Sequence, residues 1–353
     1  MHDLIVHSTE PLNAEPSLTR LRAAFVTPRQ DFYIRSHGDI PRLDAADFVL
    51  RVAGLISTPL SLNLSTLRER FPERQVMAVM QCAGNRRADL NALHPVTGDP
   101  WGPGAIGNAV WTGVSLADVL HAAAARSEAE LHVVFDAADR LDHEHTFGAS
   151  IPMTKALCPD VLLAYAMNGE TLSPEHGFPL RVVVPGYAGV RSPKWLTCIR
   201  VSETPSSSPV QQQDYKLFPP DVTAETVDRN TGMTIQQMPL NAAICSPADG
   251  ASVPSGPVRV LGYATASDRA VTRVDVSADG GHHWRQAALK QQQDSPWAWA
   301  FWEATMDLDP GDRELAVRAW DSAGQTQPDR PDDVWNFKGY LCSSWHRVRI
   351  HVM

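Results

Sequence analysis

Over the first two hundred residues the apolar positions come in short bursts. "DFVLRVAGLI" (47–56) alternates apolar and polar side chains with the period of a half-buried strand, and "QVMAVMQC" (75–82) reads as a second strand. Between them, "SLNLSTLRERFP" (61–72) predicts a short helix that Pro72 ends. "SLADVLHAAAA" (115–125) predicts another helix, with Ser115 as its N-cap and the alanines favouring it. "IPMTKAL" (151–157) starts a further short helix. "ELHVVFDA" (130–137), "VLLAYAMNGETL" (161–172), "FPLRVVVPG" (178–186) and "WLTCIRVSE" (195–203) predict strands, and the second of these turns at Asn168-Gly169. Residues 1–45 are Pro-rich and predict irregular chain, with one strand-like stretch, "DFYIRSH" (31–37). Strands and short helices follow each other in no regular βαβ order, so the class expected here is α+β.

After the polar connector "ETPSSSPVQQQ" (203–213) the texture changes. "VRVLGYATA", "VTRVDVSADGG", "HHWRQAAL", "WAWAFWEATMDL", "RELAVRAWDSAG" and "HRVRIHVM" are six short strand candidates, separated by turns such as Asp279-Gly280 and Asp309-Pro310-Gly311. That spacing predicts an all-β, antiparallel sandwich of immunoglobulin type. The expected division is 1–235 and 236–353. Gln triplets at 211–213 and 291–293 are too short to carry a reading.

Composition narrows the function. The chain has 353 residues, 43% of them hydrophobic, which is enough for two cores. A net charge of −9 argues against nucleic acid and suits a basic protein partner such as a small electron carrier. The five cysteines are widely spaced with no CxxC, so a zinc knuckle is not expected and reduced thiols are. The N-terminus has no basic flank followed by an apolar core, which makes the expected location cytoplasmic as written, or periplasmic if a leader has been removed. No apolar run reaches the length of a membrane span.

The candidate chemistry starts at "QCAGNRR" (81–87). A buried strand ends at Cys82, a tight turn follows, and Arg86 and Arg87 raise the positive potential beside the sulfur. A core thiol is the plain alternative. A thiolate would be either a nucleophile or a metal ligand, and no clear Cys-His pairing supports the nucleophile. "EHGFPLRVVVPGYAGVRSPKW" (175–195) supplies His176, Arg181, Ser192 and Lys194 in Gly- and Pro-rich turns, which is equipment for a phosphate or other multi-anionic group. A solvated loop is the alternative there, and "YIRSH" (33–37) adds a second Arg-x-His pair. His143 and His145 in "DHEH" read as a polar loop or a surface metal site, and His282-His283 as a turn. Trp297, Trp299 and Trp302 are spaced as sheet residues packing a core or interface.

Taken in order, "QCAGNRR", "GASIP", "VLLAYAMNGETL", "HGFPLRVVVPGYAGVRSPKWL", "DYK", "VTRVDVSADGGHHW", "AWAW", "VWNFKG" and "WHRVRIHV" resemble the sulfite oxidase family of molybdenum enzymes from about residue 25 to the C-terminus. The resemblance implies a molybdopterin-binding catalytic domain, a C-terminal dimerisation domain, and oxidation of sulfite to sulfate by oxo transfer. It implies the molybdenum–molybdopterin cofactor, with Cys82 as the protein's ligand to the metal. Tyr33, Ile34, Arg35, Ser36 and His37 match the segment lining the pterin, and Asp139, placed in the loop after "LHVVF", matches an acidic residue accepting from its ring. His176, Arg181, Ser192, Pro193 and Lys194 match the segments gripping the pterin and its phosphate. Arg35, Arg87, Trp101, Tyr215 and Lys338 match the positions around the substrate anion, with Lys338 standing where animal members carry arginine.

No segment upstream has room for a b-type haem domain and there is no CxxCH, so no haem is expected in this chain; electrons would go to an external acceptor such as a c-type cytochrome or oxygen. A homodimer through the C-terminal domain is the expected assembly. The rival readings are a related molybdenum enzyme acting on nitrate or a sulfoxide, a cysteine-nucleophile hydrolase, and a binding or adhesion protein built on the immunoglobulin-like module.

Overall fold

The computed structural model describes residues 4–292 and 295–353. Gln293 of the second glutamine triplet lies outside them. The chain is mostly β. Among the described residues the α-helices are few and short, none longer than the seven residues of Leu64–Arg70 and Leu116–Ala122, and none is long and apolar enough to cross a membrane.

Two five-stranded sheets build the first part. One runs Leu60–Leu62, Leu50–Gly54, Leu196–Ser202, His132–Arg140, Thr146–Pro152. The other runs Glu170–Thr171, Leu162–Met167, Ile106–Ser115, Glu73–Gln81, with Arg181–Val183 also paired to Leu162–Met167. The alternation read in the sequence becomes the division between faces. Val114, Leu163 and Val182 enter a core shared with Leu50, Phe135 and Ile199 of the first sheet. The opposite face sends Ala78, Met80 and Trp111 into a second cluster with Phe32, Tyr33 and Cys82. The Asn168-Gly169 turn forms as expected, both residues in the left-handed region at φ 55° and 80°.

The C-terminal part is two further sheets. One holds Asn241–Ser246, Gly256–Thr265, Ala300–Leu308 and Ala288–Lys290; the other holds Ser252–Val253, His346–Val352, Gly311–Asp321, Val271–Ser277 and Arg285–Gln286. Ile244, Val260 and Trp302 of the first meet Val274, Val317 and Ile350 of the second in one core. Trp299 is buried as well, against Tyr263 and Phe301, as sheet packing required.

Several expectations change. Residues 4–35 carry regular elements: Leu4–Thr9 and Leu12–Pro16 form a hairpin extended by Ile34–Arg35, and a helix, Leu18–Ala23, packs through Leu21 on the C-terminal sheet that begins at Asn241. The hairpin is fixed by buried Glu15, which accepts from the amides of Gly102 (2.7 Å) and Gly104 (2.9 Å) and from His7 (2.8 Å). Ser115 stands at the N-cap position of Leu116–Ala122 but makes no capping hydrogen bond. The alanine run does not prolong that helix, because Ala124 turns into the left-handed region at φ 46°. The connector after 203 contains a wide helical turn, Val210–Asp214, that buries Gln211. Asp139 lies on the strand His132–Arg140, not in a loop after it, because pairing with Thr146–Pro152 carries the strand past "LHVVF" to Arg140.

Candidate functional site

The edge strand Glu73–Gln81 ends just before Cys82, whose amide donates to the Ala105 carbonyl (2.9 Å). The chain then folds back tightly, with Asn85 N donating to Cys82 O and Arg87 N to Gly84 O, both at 3.0 Å. Gly84 leaves room for the Arg87 guanidinium, which a Cβ at that position would meet at 2.7 Å and push aside. Its amide points at the Cys82 sulfur (3.4 Å). Cys82 is 5% exposed and lines a cleft with about 630 Å³ of empty space, open solvent included.

Twelve of the sixteen residues singled out from sequence wall that cleft: Tyr33, Arg35, Ser36, His37, Cys82, Asp139, His176, Arg181, Ser192, Pro193, Lys194 and Tyr215. Ser36 is held by its amide, which donates to Asn13 Oδ1 (2.9 Å), and its hydroxyl accepts from Lys194 Nζ (3.1 Å). Lys194 also donates to the Glu175 carbonyl (2.8 Å). Arg181 is fully buried and donates to the carbonyls of His176 (3.0 Å) and Ser192 (3.1 Å). The Ser192 hydroxyl accepts from the Val184 amide (3.0 Å), fixing the loop that carries Pro193 and Lys194.

The electrostatics here are those of crowded cations away from water. Burial, aided by Arg181, brings Lys194 down to about 7. Burial alone brings Arg181 down to about 10. His176 falls to about 3, through burial and then Lys194 and Arg181 against the opposing Glu175, so it is neutral. Asp139 rises to about 6 through burial, only partly offset by Lys194, and one of its carboxylate oxygens has no partner among the described residues.

Beside Cys82 a second group assembles. His37 and the Tyr215 hydroxyl share a hydrogen bond of 2.7 Å. Burial, then Arg35 and Lys194, push His37 well below its ordinary pKa, so the ring is neutral. Tyr215 stacks on Tyr340, with ring centroids 5.1 Å apart, and the Arg87 guanidinium lies 5.1 Å from the Tyr340 centroid. Arg35 donates to Asn13 and the Ser36 carbonyl. Burial works to lower its pKa, but Tyr215, Cys82, Tyr340 and Asp99 outweigh it, so Arg35 stays charged next to the thiol.

Four predicted residues stand behind the cleft wall. Ile34 is buried and pairs with Ala14 in the N-terminal sheet. Trp101 is fully buried, edge-on to His7 (4.8 Å) and Tyr33 (6.5 Å), with no partner for its indole N–H among the described residues. Arg87 spends Nε on the Lys338 carbonyl (3.2 Å) and Nη1 on the Asp99 carbonyl (3.0 Å). Lys338 Nζ sits 3.9 Å from Asp214, the residue before Tyr215. Arg86, expected to add potential at the sulfur, turns away from it into the C-terminal sheets.

Phe32, Met80, Phe147, Glu175 and Trp195 also line the cleft and were missed. Met80 was findable, being two residues before Cys82 on the same face of one strand. Phe32, Glu175 and Trp195 adjoin residues that were found. Phe147 and Tyr340 come from distant segments and carry no local signal. His143 and His145 form no metal cluster; His145 pairs with Asp142 (3.0 Å), and no group of three His, Cys, Asp or Glu able to hold a metal exists among the described residues.

Comparison with known proteins gives the same picture over the whole chain. Residues 37–210 match the oxidoreductase molybdopterin binding domain, and residues 232–353 match the Mo-co oxidoreductase dimerisation domain. A chicken (Gallus gallus) sulfite oxidase is 45% identical over 353 residues, covering 98% of this chain and 77% of that protein. An Arabidopsis thaliana sulfite oxidase is 41% identical, covering 99% of this chain and 94% of the other. The crystal structure of the sulfane dehydrogenase SoxCD from Paracoccus pantotrophus superposes with a TM-score of 0.84 at 26% identity, covering 98% of this chain and 87% of that one. Matched through both halves and along almost its full length, the chain belongs to the sulfite oxidase family of molybdopterin-dependent oxidoreductases.

Proposed function

We propose that this protein oxidises sulfite to sulfate at a molybdenum–molybdopterin centre held in the cleft and passes the electrons to a separate acceptor. One observation carries the reading: the thiol of Cys82 faces a cleft also lined by buried Arg181 and Lys194, neither of which makes an ion pair among the described residues. The cleft fits the cofactor. Among the described residues no cluster offers three metal ligands, so a metal beside Cys82 would take its other ligands from a bound group, and soft thiolate suits molybdenum. Arg181 and Lys194, each depressed by burial and Lys194 further by its neighbour, have the form of a site for a phosphate. The partnerless oxygen of Asp139 is an acceptor for a ring N–H.

When bound, the cofactor supplies oxo transfer and two-electron redox chemistry. The protein's share is to bind and orient the anion. Arg35 stays charged beside the sulfur and would hold a sulfite oxygen in a water-poor pocket, where such a contact is worth more than in bulk. Tyr215 would donate its phenol proton to the same anion or to an oxygen beside it, with neutral His37 in the tautomer whose Nε2–H donates to the phenol oxygen and orients it. Arg87 fixes the backbone at Asp99 and Lys338 and brings its charge close behind Tyr340. Lys338 adds a second charge, steadied by Asp214.

In the same reading the chain divides at 235/236, the C-terminal sheets form a sandwich of immunoglobulin type, and a second copy docks there. The division is supported by the small Lys216–Leu217 and Met233–Thr234 pair closing just before the first C-terminal strand at Asn241.

Metal analysis joined to a steady-state assay tests the function, with sulfite and nitrate offered side by side to wild type and Cys82→Ser. The expected result is bound molybdenum and sulfite-dependent reduction of ferricyanide or cytochrome c in wild type, both lost in the variant. Molybdenum-free wild type, or faster turnover of nitrate, would sink the reading.

A further inference from the structure

Adjacent arginines of one turn face opposite ways. Arg87 lies behind the cleft, whereas Arg86 adopts φ 65° and points its side chain out of the first part of the chain, where it is 1% exposed. A residue other than glycine holds that conformation only when its surroundings fix it. Here they do. Arg86 Nε donates to Asp89 (2.8 Å), Nη1 to Asn241 Oδ1 (3.0 Å) and the Ser344 carbonyl (2.7 Å), and Nη2 to the Trp345 carbonyl (3.3 Å). Asn241 opens a strand of one C-terminal sheet, and residues 344–345 lead into His346–Val352 of the other. One guanidinium therefore touches both sheets. Its neighbour Asn85 adds a second tie, donating to the Tyr263 hydroxyl (3.2 Å), which donates in turn to the Pro103 carbonyl (2.8 Å).

A buried guanidinium is costly unless its donors are met, and removing an acceptor leaves that cost uncompensated. Apart from Asp89, three residues on in the chain, the acceptors come from C-terminal segments, and Asn241, Ser344 and Trp345 contribute nothing to the cleft walls. We propose that Arg86 is a positioning residue through which the C-terminal sheets set the conformation of the Cys82–Arg87 turn, so that the placement of the thiol depends on a part of the chain that does not carry it. Its bearing on catalysis rests on reading Cys82 as the metal ligand; the mechanical coupling does not.

Hydrogen exchange on the full-length protein as purified, followed by mass spectrometry, tests this with two variants. Arg86→Met removes the guanidinium. Asn241→Leu removes an acceptor on the far side and leaves the turn's own sequence intact. The amides of Asn85 and Arg87, bonded within the turn, should exchange about tenfold faster in Arg86→Met and several-fold faster in Asn241→Leu. Amides of the strand Leu196–Ser202, in the other sheet of the catalytic part, should keep their wild-type rates. Unchanged turn amides in both variants, or a parallel rise in Leu196–Ser202, would overturn the proposal, the second outcome meaning general destabilisation. Should Arg86→Met not fold, Asn241→Leu decides alone. Full molybdenum content in Cys82→Ser would sink the metal-ligand reading while leaving the exchange result standing.

Discussion

The cations of the cleft and those of the C-terminal sheets are handled in opposite ways. In the C-terminal sheets the arginines pair with carboxylates: Arg269 with Asp321 (2.9 Å), Arg273 and Arg318 with buried Asp275 (2.7 and 3.4 Å), Arg347 with Glu314 (3.0 Å). Side-chain hydrogen bonds to those carboxylates raise the pKa values of Arg269 and Arg273. In and around the cleft, Arg181, Arg191 and Lys194 are buried and lowered by that burial, and they donate to carbonyls, a hydroxyl and the Gln211 amide oxygen. None of the three makes an ion pair among the described residues. Charge paired within the chain holds the fold. Charge left unpaired in a low-dielectric cleft raises the free energy of the empty site and is offset when an anion arrives. The first kind marks structure and the second marks a binding site.

Two substitutions should separate these kinds most widely. Arg181→Met keeps much of the side-chain volume against Trp111 and removes a charge no carboxylate holds. The cofactor-free chain should melt no lower than wild type, while molybdenum and pterin recovered with the purified protein fall to near zero. Asp275→Asn should do the reverse. It strands Arg318 and half-exposed Arg273, costing about 2 kcal/mol, with cofactor content per folded chain unchanged. Melting curves and metal analysis on both variants check this. A destabilised Arg181→Met that still binds the cofactor would break the contrast.

A smaller effect is expected from pH. The folded pKa of Lys194, about 7, lies below the 10.5 of an exposed lysine, so the unfolded chain binds the extra proton between those values. Its penalty is therefore present in full below about 7 and is relieved as pH rises toward 10.5. Measured against Lys194→Met, the stability of the cofactor-free protein should climb across this window by at most about 1.4 kcal/mol per pH unit. Asp139 acts with the opposite slope in a lower window: its folded pKa of about 6 exceeds 3.8, so the stability it contributes falls as pH rises through about 4 to 6. Denaturant titrations at several pH values decide the matter, and a difference between wild type and Lys194→Met that stays flat above pH 7 would place the Lys194 amine in water.

The contrast was partly legible in the sequence. Two of the cleft's cations, Arg35 and Lys194, sit in short runs, 33–37 and 192–194, where turn-forming residues and charges are contiguous, and Met80 and Cys82 share a strand face. What was not legible depended on backbone angles or distant partners. Arg86 and Arg87 are one residue type in adjacent positions, sorted by a single positive φ. Tyr340 reaches Tyr215 across 125 positions of sequence, and Gln211 looked like part of a polar linker until Arg191 and the Ser150 amide were seen to use its oxygen. The N-terminal hairpin escaped notice because its anchor, Glu15, bonds amides near residue 103 rather than neighbours. Ser115 had the right type and position for a cap, but position alone does not aim a hydroxyl.

Lys338 falls between the two kinds of cation, and it offers the finest test of the distinction. It is only slightly exposed, burial lowers its pKa against the opposing Asp214, and the carboxylate stands at 3.9 Å, too far for a tight pair. A lysine so placed is a point charge that leans toward Asp214 and is free to share itself with an anion near Tyr215. Arginine would present a planar fork able to engage Asp214 with one edge and an oxyanion with the other. Lys338→Arg should therefore lower the KM for sulfite by about threefold with kcat nearly unchanged, since it adds ground-state contact and leaves the thiol and Tyr215 alone. Steady-state kinetics over a range of sulfite concentrations measures it. An unchanged KM would mean that Lys338 belongs with the structural cations, its charge spent on Asp214, and that the unpaired set ends at the cleft wall.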